Sequence, residues 1–216
     1  AMRLLAGSPD RRWTAALAGV AERTPGLRVR VATPDEPWPD APVDVAIFYR
    51  HAPRQSPAVN ALYVYPPPDS GLFVAAGEAV RVDILDWNAR HPVLHQLRPV
   101  NAQPLSKAHI VTPPAGSQGL LWSRVGEREL PLAFAGEQDG RRHVCLTFDL
   151  DVASLLDSDN LDLFLFFLNS LSWLAPEDSS TVVLRSGTTW ALPEVGESPR
   201  EVIRPDGTSS TLTAST

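Results

Sequence analysis

Several groups of residues in this sequence have types and spacings that could do chemistry. In "DWNARHPVLHQL" (86–97), His91 and His95 stand four apart, the spacing that puts two imidazoles on one helix face to grip a metal. Pro92 directly follows His91, however, and a residue before proline is pushed out of the α region. The shared helix face is therefore lost, the glutamate of the metalloprotease motif is absent, and His91 reads as a turn residue bonding to backbone. No metal is expected there. Asp149 and Asp151 in "FDLD" would point to the same face of a strand, as a magnesium-binding pair does. "DSDNLD" (157–162) resembles a calcium loop superficially, but it lacks the central glycine and has leucine at the twelfth position. The plainer reading of this acidic run is a strand end followed by a helix start, where carboxylates meet the positive end of the helix dipole.

Cys145, in "RRHVCLTFDL", sits mid-strand between apolar neighbours. A nucleophile is presented on a sharp strand-to-helix turn flanked by small residues, so this thiol reads as core. In "AGSPD", Ser8 follows one glycine where dinucleotide binding uses three; it either places helix amides near an anion or is a plain cap. Arg50 and His51, in "FYRHAP", emerge at the carboxyl end of an expected parallel strand, where open α/β sheets place ligands. The candidate ligand-binding set is thus Ser8, Arg50, His51, Asp149 and Asp151, with no catalytic residue, no metal ligand and no cofactor assigned.

The elements that must position these residues are read from periodicity. "MRLLAG" (2–7) is a short buried strand, and Ser8, Pro9 and Asp10 are helix-start signals, with Ser8 expected as N-cap. Trp13, Leu17, Val20 and Ala21 form one apolar stripe, and Pro25-Gly26 stops the helix. "LRVRVA" (27–32), "VDVAIFYR" (43–50), "ALYVYP" (61–66), "AVRVDILDW" (79–87) and "AHIVTPP" (108–114) read as extended segments. Residues 119–150 offer three strands, with turns at "VGERE" and at "EQDGRR", whose Asp-Gly pair favours a tight hairpin. "LDLFLFFLNSLSWLA" (161–175) is apolar nearly all round. At about 15 residues it is short of the roughly 20 a bilayer span needs, so it reads as a buried helix capped by Ser158 or Asp159. After Pro176 the chain turns polar and β-rich, with "TVVLRSGTTWALP" and a hairpin about Pro205-Asp206-Gly207.

Composition narrows the function class. A net charge of −6 with no basic cluster argues against nucleic acid as a partner. One cysteine excludes an internal disulfide and a multi-cysteine zinc site. The 21 prolines imply stiff surface connections. "AMRLLAG" lacks the charged start and apolar run of a signal peptide, and Ala1 before Met2 reads as a cloning scar on an excised piece.

Four segments, "VDVAIFYRHAP", "LDWNARHPVLHQL", "ELPLAFAGEQDGRRHVCLTFDL" and "DSDNLDLFLFFLNSLSWLAP", together resemble a domain of bacterial aerotolerance-regulator, von Willebrand A-type membrane proteins. The resemblance covers residues 43–176 well and 1–42 weakly. It implies a class I glutamine-amidotransferase-like α/β domain, sometimes followed by a β-sandwich whose opening "VIRPDGTSSTL" resembles, and it places "HPVL" in the scaffold. The amidotransferase Gly-x-Cys-x-Gly elbow is missing, as is a His-x-Glu after Cys145. The expectation is therefore a three-layer αβα fold with a mainly parallel sheet, glutamine-amidotransferase-like or flavodoxin-like, over residues 1–176. An antiparallel hairpin region and a β-rich tail (177–216), the start of a truncated β-sandwich, complete it. The expected function is a non-catalytic protein-interaction or scaffolding domain of a membrane-anchored parent, itself not spanning the membrane and standing outside the cytoplasm. The alternatives are a hydrolase or amidotransferase-like enzyme, or a small-ligand sensor, using a cleft at the carboxyl ends of the parallel strands.

Overall fold

The computed structural model describes residues 2–23, 26–33, 36, 39, 41–54, 57–95, 97, 104–126, 128–150, 161–176, 200–203 and 209–212. The chain divides into two compact units, Ala1–Glu177 and Asp178–Thr216. In the first, β1 (Met2–Gly7), α1 (Arg11–Arg23) and β2 (Leu27–Ala32) form a strand–helix–strand unit, followed by β3 (Val45–Tyr49) and β4 (Asn60–Val64). These four strands run parallel in the order β2-β1-β3-β4. Next come β5 (Val74–Val82), the short β6 (Asp86–Trp87), a 3₁₀ turn (Pro92–Leu94), β7 (Leu105–Thr112), β8 (Gln118–Val125), β9 (Arg128–Gln138), β10 (Arg141–Leu146) and α2 (Leu161–Leu174).

The main sheet has eight strands in the order β2-β1-β3-β4-β10-β9-β8-β6. β10 lies parallel to β4, with Val144 opposite Leu62, and antiparallel to β9, with Val144 opposite Ala135. β8 and β6 continue the antiparallel half. This overturns the expected three-layer αβα fold with a mainly parallel sheet: the molecule is dominated by strands and its sheet is mixed. The reason lies in the connections. A parallel crossover normally carries a helix, but the links from β2 to β3 and from β3 to β4 contain Pro34, Pro37, Pro39, Pro42, Pro53 and Pro57. Proline removes the backbone donor and clashes within a helix, and none of the described residues of these crossovers is helical. The turn at Asp139-Gly140 then sends the chain straight back along its neighbour. Both residues have positive φ (52° and 71°), as the tight hairpin inferred from "EQDGRR" requires.

Both described α-helices contribute to one core with the face bearing Leu4, Val45, Ile47, Leu62, Val144 and Leu146. α1 brings Trp13 and Leu17, as the apolar stripe predicts; α2 brings Phe166, Phe167, Leu171 and Leu174. The opposite face (Ala46, Phe48, Ala61, Tyr63, Phe134 and Cys145) meets Phe73, just before β5, and Val111 of β7, the two strands forming a separate ribbon. Helix α1 begins at Arg11, with Asp10 rather than Ser8 as its cap: the Asp10 carboxylate accepts from the amides of Arg12 (2.9 Å) and Trp13 (3.3 Å). Ser158 and Asp159, expected to cap α2, lie outside the described residues, as do residues 181–193 and the turn at 205–207. In the second unit β11 (Arg200–Ile203) and β12 (Ser209–Leu212) pair antiparallel.

Candidate functional site

Three parallel strands deliver their carboxyl ends to one place. β1 ends at Gly7-Ser8, β3 at Tyr49-Arg50, and β10 passes through Leu146 to Asp149. The chain turns abruptly after β3 and β4: Arg50 and Tyr65 both have left-handed backbone (φ 50° and 48°). Their amides still extend the pairing, Arg50 N–H to Val64 O (2.9 Å) and Tyr65 N–H to Leu146 O (2.8 Å). These turns aim Arg50 back across the strand ends toward Asp149.

Asp149 is the centre of the cluster. Its Oδ1 accepts from the Tyr49 hydroxyl at 2.8 Å, and its Oδ2 pairs with Arg50 Nη2 at 2.5 Å. The Asp149 carboxylate, through that hydrogen bond, holds the Arg50 pKa above its ordinary value, with Asp10 adding attraction from the start of α1. Beneath, Tyr49 stacks on Trp13 with ring centroids 4.8 Å apart, and the Arg50 guanidinium lies 5.1 Å from the Tyr49 centroid. Alternation along β3 turns Tyr49 toward α1, so an aromatic pair supports the ion pair.

The remaining expected residues fall as follows. The buried Ser8 hydroxyl accepts from the Asp10 amide (2.9 Å), a local turn that positions the cap. His51 lies edge-on to Phe48, with centroids 6.0 Å apart. Asp151 lies outside the described residues, so its pairing with Asp149 is not described. Cys145 is fully buried in β10, and burial pushes its thiol pKa far up. His91 caps the 3₁₀ turn, its Nδ1 accepting from the Val93 amide at 3.3 Å, while His95 closes the other end and is exposed. Among the described residues, no group of three or more His, Cys, Asp or Glu side chains could hold a metal ion.

Sequence reasoning missed two neighbours of the cluster. His109 of β7 stacks on Tyr65 (4.3 Å, 5°), and its Nε2 bonds Pro66 O at 3.0 Å. Tyr65 in turn donates its hydroxyl to Glu78 of β5. Burial lowers the His109 pKa, which keeps the ring neutral at pH 7. The backbone joins the ribbon to the main sheet at the same point, His109 N–H to Thr147 O (2.8 Å) and Asp149 N–H to Lys107 O (3.0 Å). An antiparallel bridge between residues 108 and 148 leaves no sequence pattern, which is why these contacts were not foreseen.

No family model and no curated protein matches the chain. Solved structures do resemble it. The carbohydrate deacetylase Agd3 superposes with a TM-score of 0.59 at 9% identity, over 80% of this chain and 32% of that one. A cytoplasmic protein from Salmonella typhimurium LT2 superposes with a TM-score of 0.56 at 9% identity, over 81% of this chain and 100% of the other. The chain thus spans about a third of the deacetylase and all of the Salmonella protein. At this identity the likeness describes the fold alone. No described helix is long and apolar enough to cross a membrane.

Proposed function

We propose that this chain is a non-catalytic interaction domain of a larger, membrane-anchored protein that presents it outside the cytoplasm. One observation carries the reading: Tyr49, Arg50 and Asp149, at the carboxyl ends of the parallel strands, are spent on one another. Asp149, which would be the acid, base or ligand of a working cleft, is held by Tyr49 and Arg50. The fully buried thiol nearby is no nucleophile. Apolar side chains instead face outward on the ribbon, where Val74 is 71% and Val80 67% exposed. β5 pairs with β7 along one side, and its other edge has no strand partner among the described residues. An open strand edge with exposed valines is a natural docking rail for a protein partner. The membrane-anchored parent rests on the resemblance of the four sequence segments to von Willebrand A-type proteins.

The test has three arms on the full-length parent. Its coding sequence should carry transmembrane segments and a von Willebrand A domain on the flanks of this region. A photo-crosslinker at position 80 should trap one discrete protein in cells, and Val74→Lys should abolish the product. A panel of esters, amides and N-acetylated sugars should show no turnover. Turnover that Asp149→Asn removes would install the hydrolase reading instead; a parent without membrane segments, or no discrete crosslink, would remove the corresponding part of the proposal.

A further inference from the structure

The sheet face turned away from the helices carries a groove unrelated to the Asp149 cluster. Its floor follows from small residues on adjacent strands: Ala61 of β4 and Gly136 of β9 both stand opposite His143 of β10. At Gly136 a Cβ would meet the His143 ring at 2.7 Å and 2.8 Å and would approach Ser117 Oγ at 3.6 Å. A side chain at this position would displace the His143 ring, and the ring and the hydroxyl flank the space that glycine leaves. The 113–117 turn and the segment at Gly71-Leu72 supply walls, and the β9–β10 turn supplies the rim, enclosing about 390 Å³. That is within the range of small-molecule sites.

Tyr63 supplies an independent sign of a ligand. It lines this groove and is only 5% exposed, its ring stacked against Phe48. Its hydroxyl nevertheless has no hydrogen-bond partner among the described residues. Trp13 Nε1 is the only side-chain polar atom there that is both sealed from solvent and unpartnered, so the Tyr63 hydroxyl opens to the groove. Buried phenols normally find a partner. The half-buried His143 ring likewise makes no hydrogen bond among the described residues.

We propose that this groove binds an uncharged polyhydroxylated ring, a monosaccharide or the end of a glycan, through Tyr63, His143 and Ser117. Each of these groups, with a neutral imidazole, offers both a donor and an acceptor, which is the complement of a sugar hydroxyl. Burial lowers the His143 pKa and raises that of Tyr63, which keeps both uncharged at pH 7. Val59, Ala61, Leu72 and Pro114 give an apolar wall for the C–H face of a ring. Of the charged lining residues, Glu137, Asp139 and Arg141 are exposed at the rim, and the half-buried Arg142 carries its guanidinium over the Trp173 ring (5.3 Å), so the groove itself favours an uncharged ligand.

The test is saturation-transfer NMR and titration on the full chain with D-glucose, D-galactose, D-mannose and N-acetyl-D-glucosamine, against D-gluconate and D-glucosamine. At least one neutral sugar should bind, and Tyr63→Phe should weaken it tenfold or more while leaving Tm equal or higher. Gly136→Ala, which displaces the His143 ring, should do the same to binding. No transfer from any neutral sugar would overturn the proposal, as would binding unchanged by Tyr63→Phe or stronger binding of the charged comparators. The Asp149 cluster takes no part, so none of these results bears on the interaction reading.

Discussion

Two arginine–aspartate pairs stand at opposite ends of the parallel strands, and their local exposure is nearly the same. At the amino end, Arg3 of β1 pairs with Asp44, just before β3; at the carboxyl end, Arg50 pairs with Asp149. In each, the arginine side chain is about half exposed and the carboxylate nearly covered. Their settings differ. Asp44 also accepts the Arg3 backbone amide at 2.7 Å, and its own amide donates to Arg3 O at 2.9 Å, so the pair is woven into β1–β3 pairing. The Asp149 carboxylate instead ties together side chains, one of them on a left-handed residue, while its amide donates to Lys107 O of β7 and not to the strand of its arginine. A charge pair stitched into strand register is a fastener, whereas one that joins side chains across strand ends occupies the place where a ligand would sit.

Four expected outcomes break or sharpen this contrast. The largest is Phe166→Ala in α2. That fully buried ring lies in the core shared by both ends, and its loss should cost about 3–5 kcal/mol in urea unfolding. Next, Asp149→Asn should cost about 1–3 kcal/mol, because Tyr49 and Arg50 lose a charged acceptor. Asp44→Asn should cost about 1 kcal/mol at pH 7, less because half-exposed Arg3 stays solvated.

The Asp44 effect has a defined pH window. Hydrogen bonding from Arg3 holds its folded-state pKa below the ordinary aspartate value. Its contribution is therefore fully present above the unfolded value, about 3.9, and is lost as pH falls through the lower folded value. Unfolding curves of wild type and Asp44→Asn should stay separated down to about pH 4 and converge below it. Convergence at pH 6 would contradict the pairing. The smallest expected effect is none at all: folded protein at neutral pH should leave Cys145 unlabelled by iodoacetamide, and labelling should follow unfolding. Because Cys145 lies on the strand that leads to Asp149, Asp149→Asn should speed that labelling more than Asp44→Asn does.

Local elements were legible in the sequence; their arrangement was less so. Trp13 and Leu17 gave away the buried stripe of α1, "LFLFFLNSLSWL" the core helix, and Asp139-Gly140 the hairpin, because each signal is local periodicity or turn chemistry. Arg50 was located at a strand end, and Asp149 was singled out, but nothing in the sequence joins residues 99 positions apart. The layer count failed because apolar strands read as sheet buried by helices on both faces. The proline-rich crossovers, which disfavour such helices, signal only stiffness in the sequence. Tyr63 and His143 were invisible as a pair because their meeting depends on the register of β4 against β10.

That register also dictates an order of events during synthesis. Arg142 is joined to Asn60 across 82 positions, whereas β9 and β10 need a two-residue turn to meet. The antiparallel hairpin closes on the microsecond scale as soon as it emerges. Strands β1 to β4 are made first and must wait for it, with the "ALYV" edge of β4 unpaired on the nascent chain. A pause in translation between residues 64 and 141 would therefore prolong the interval in which that edge can pair with another chain.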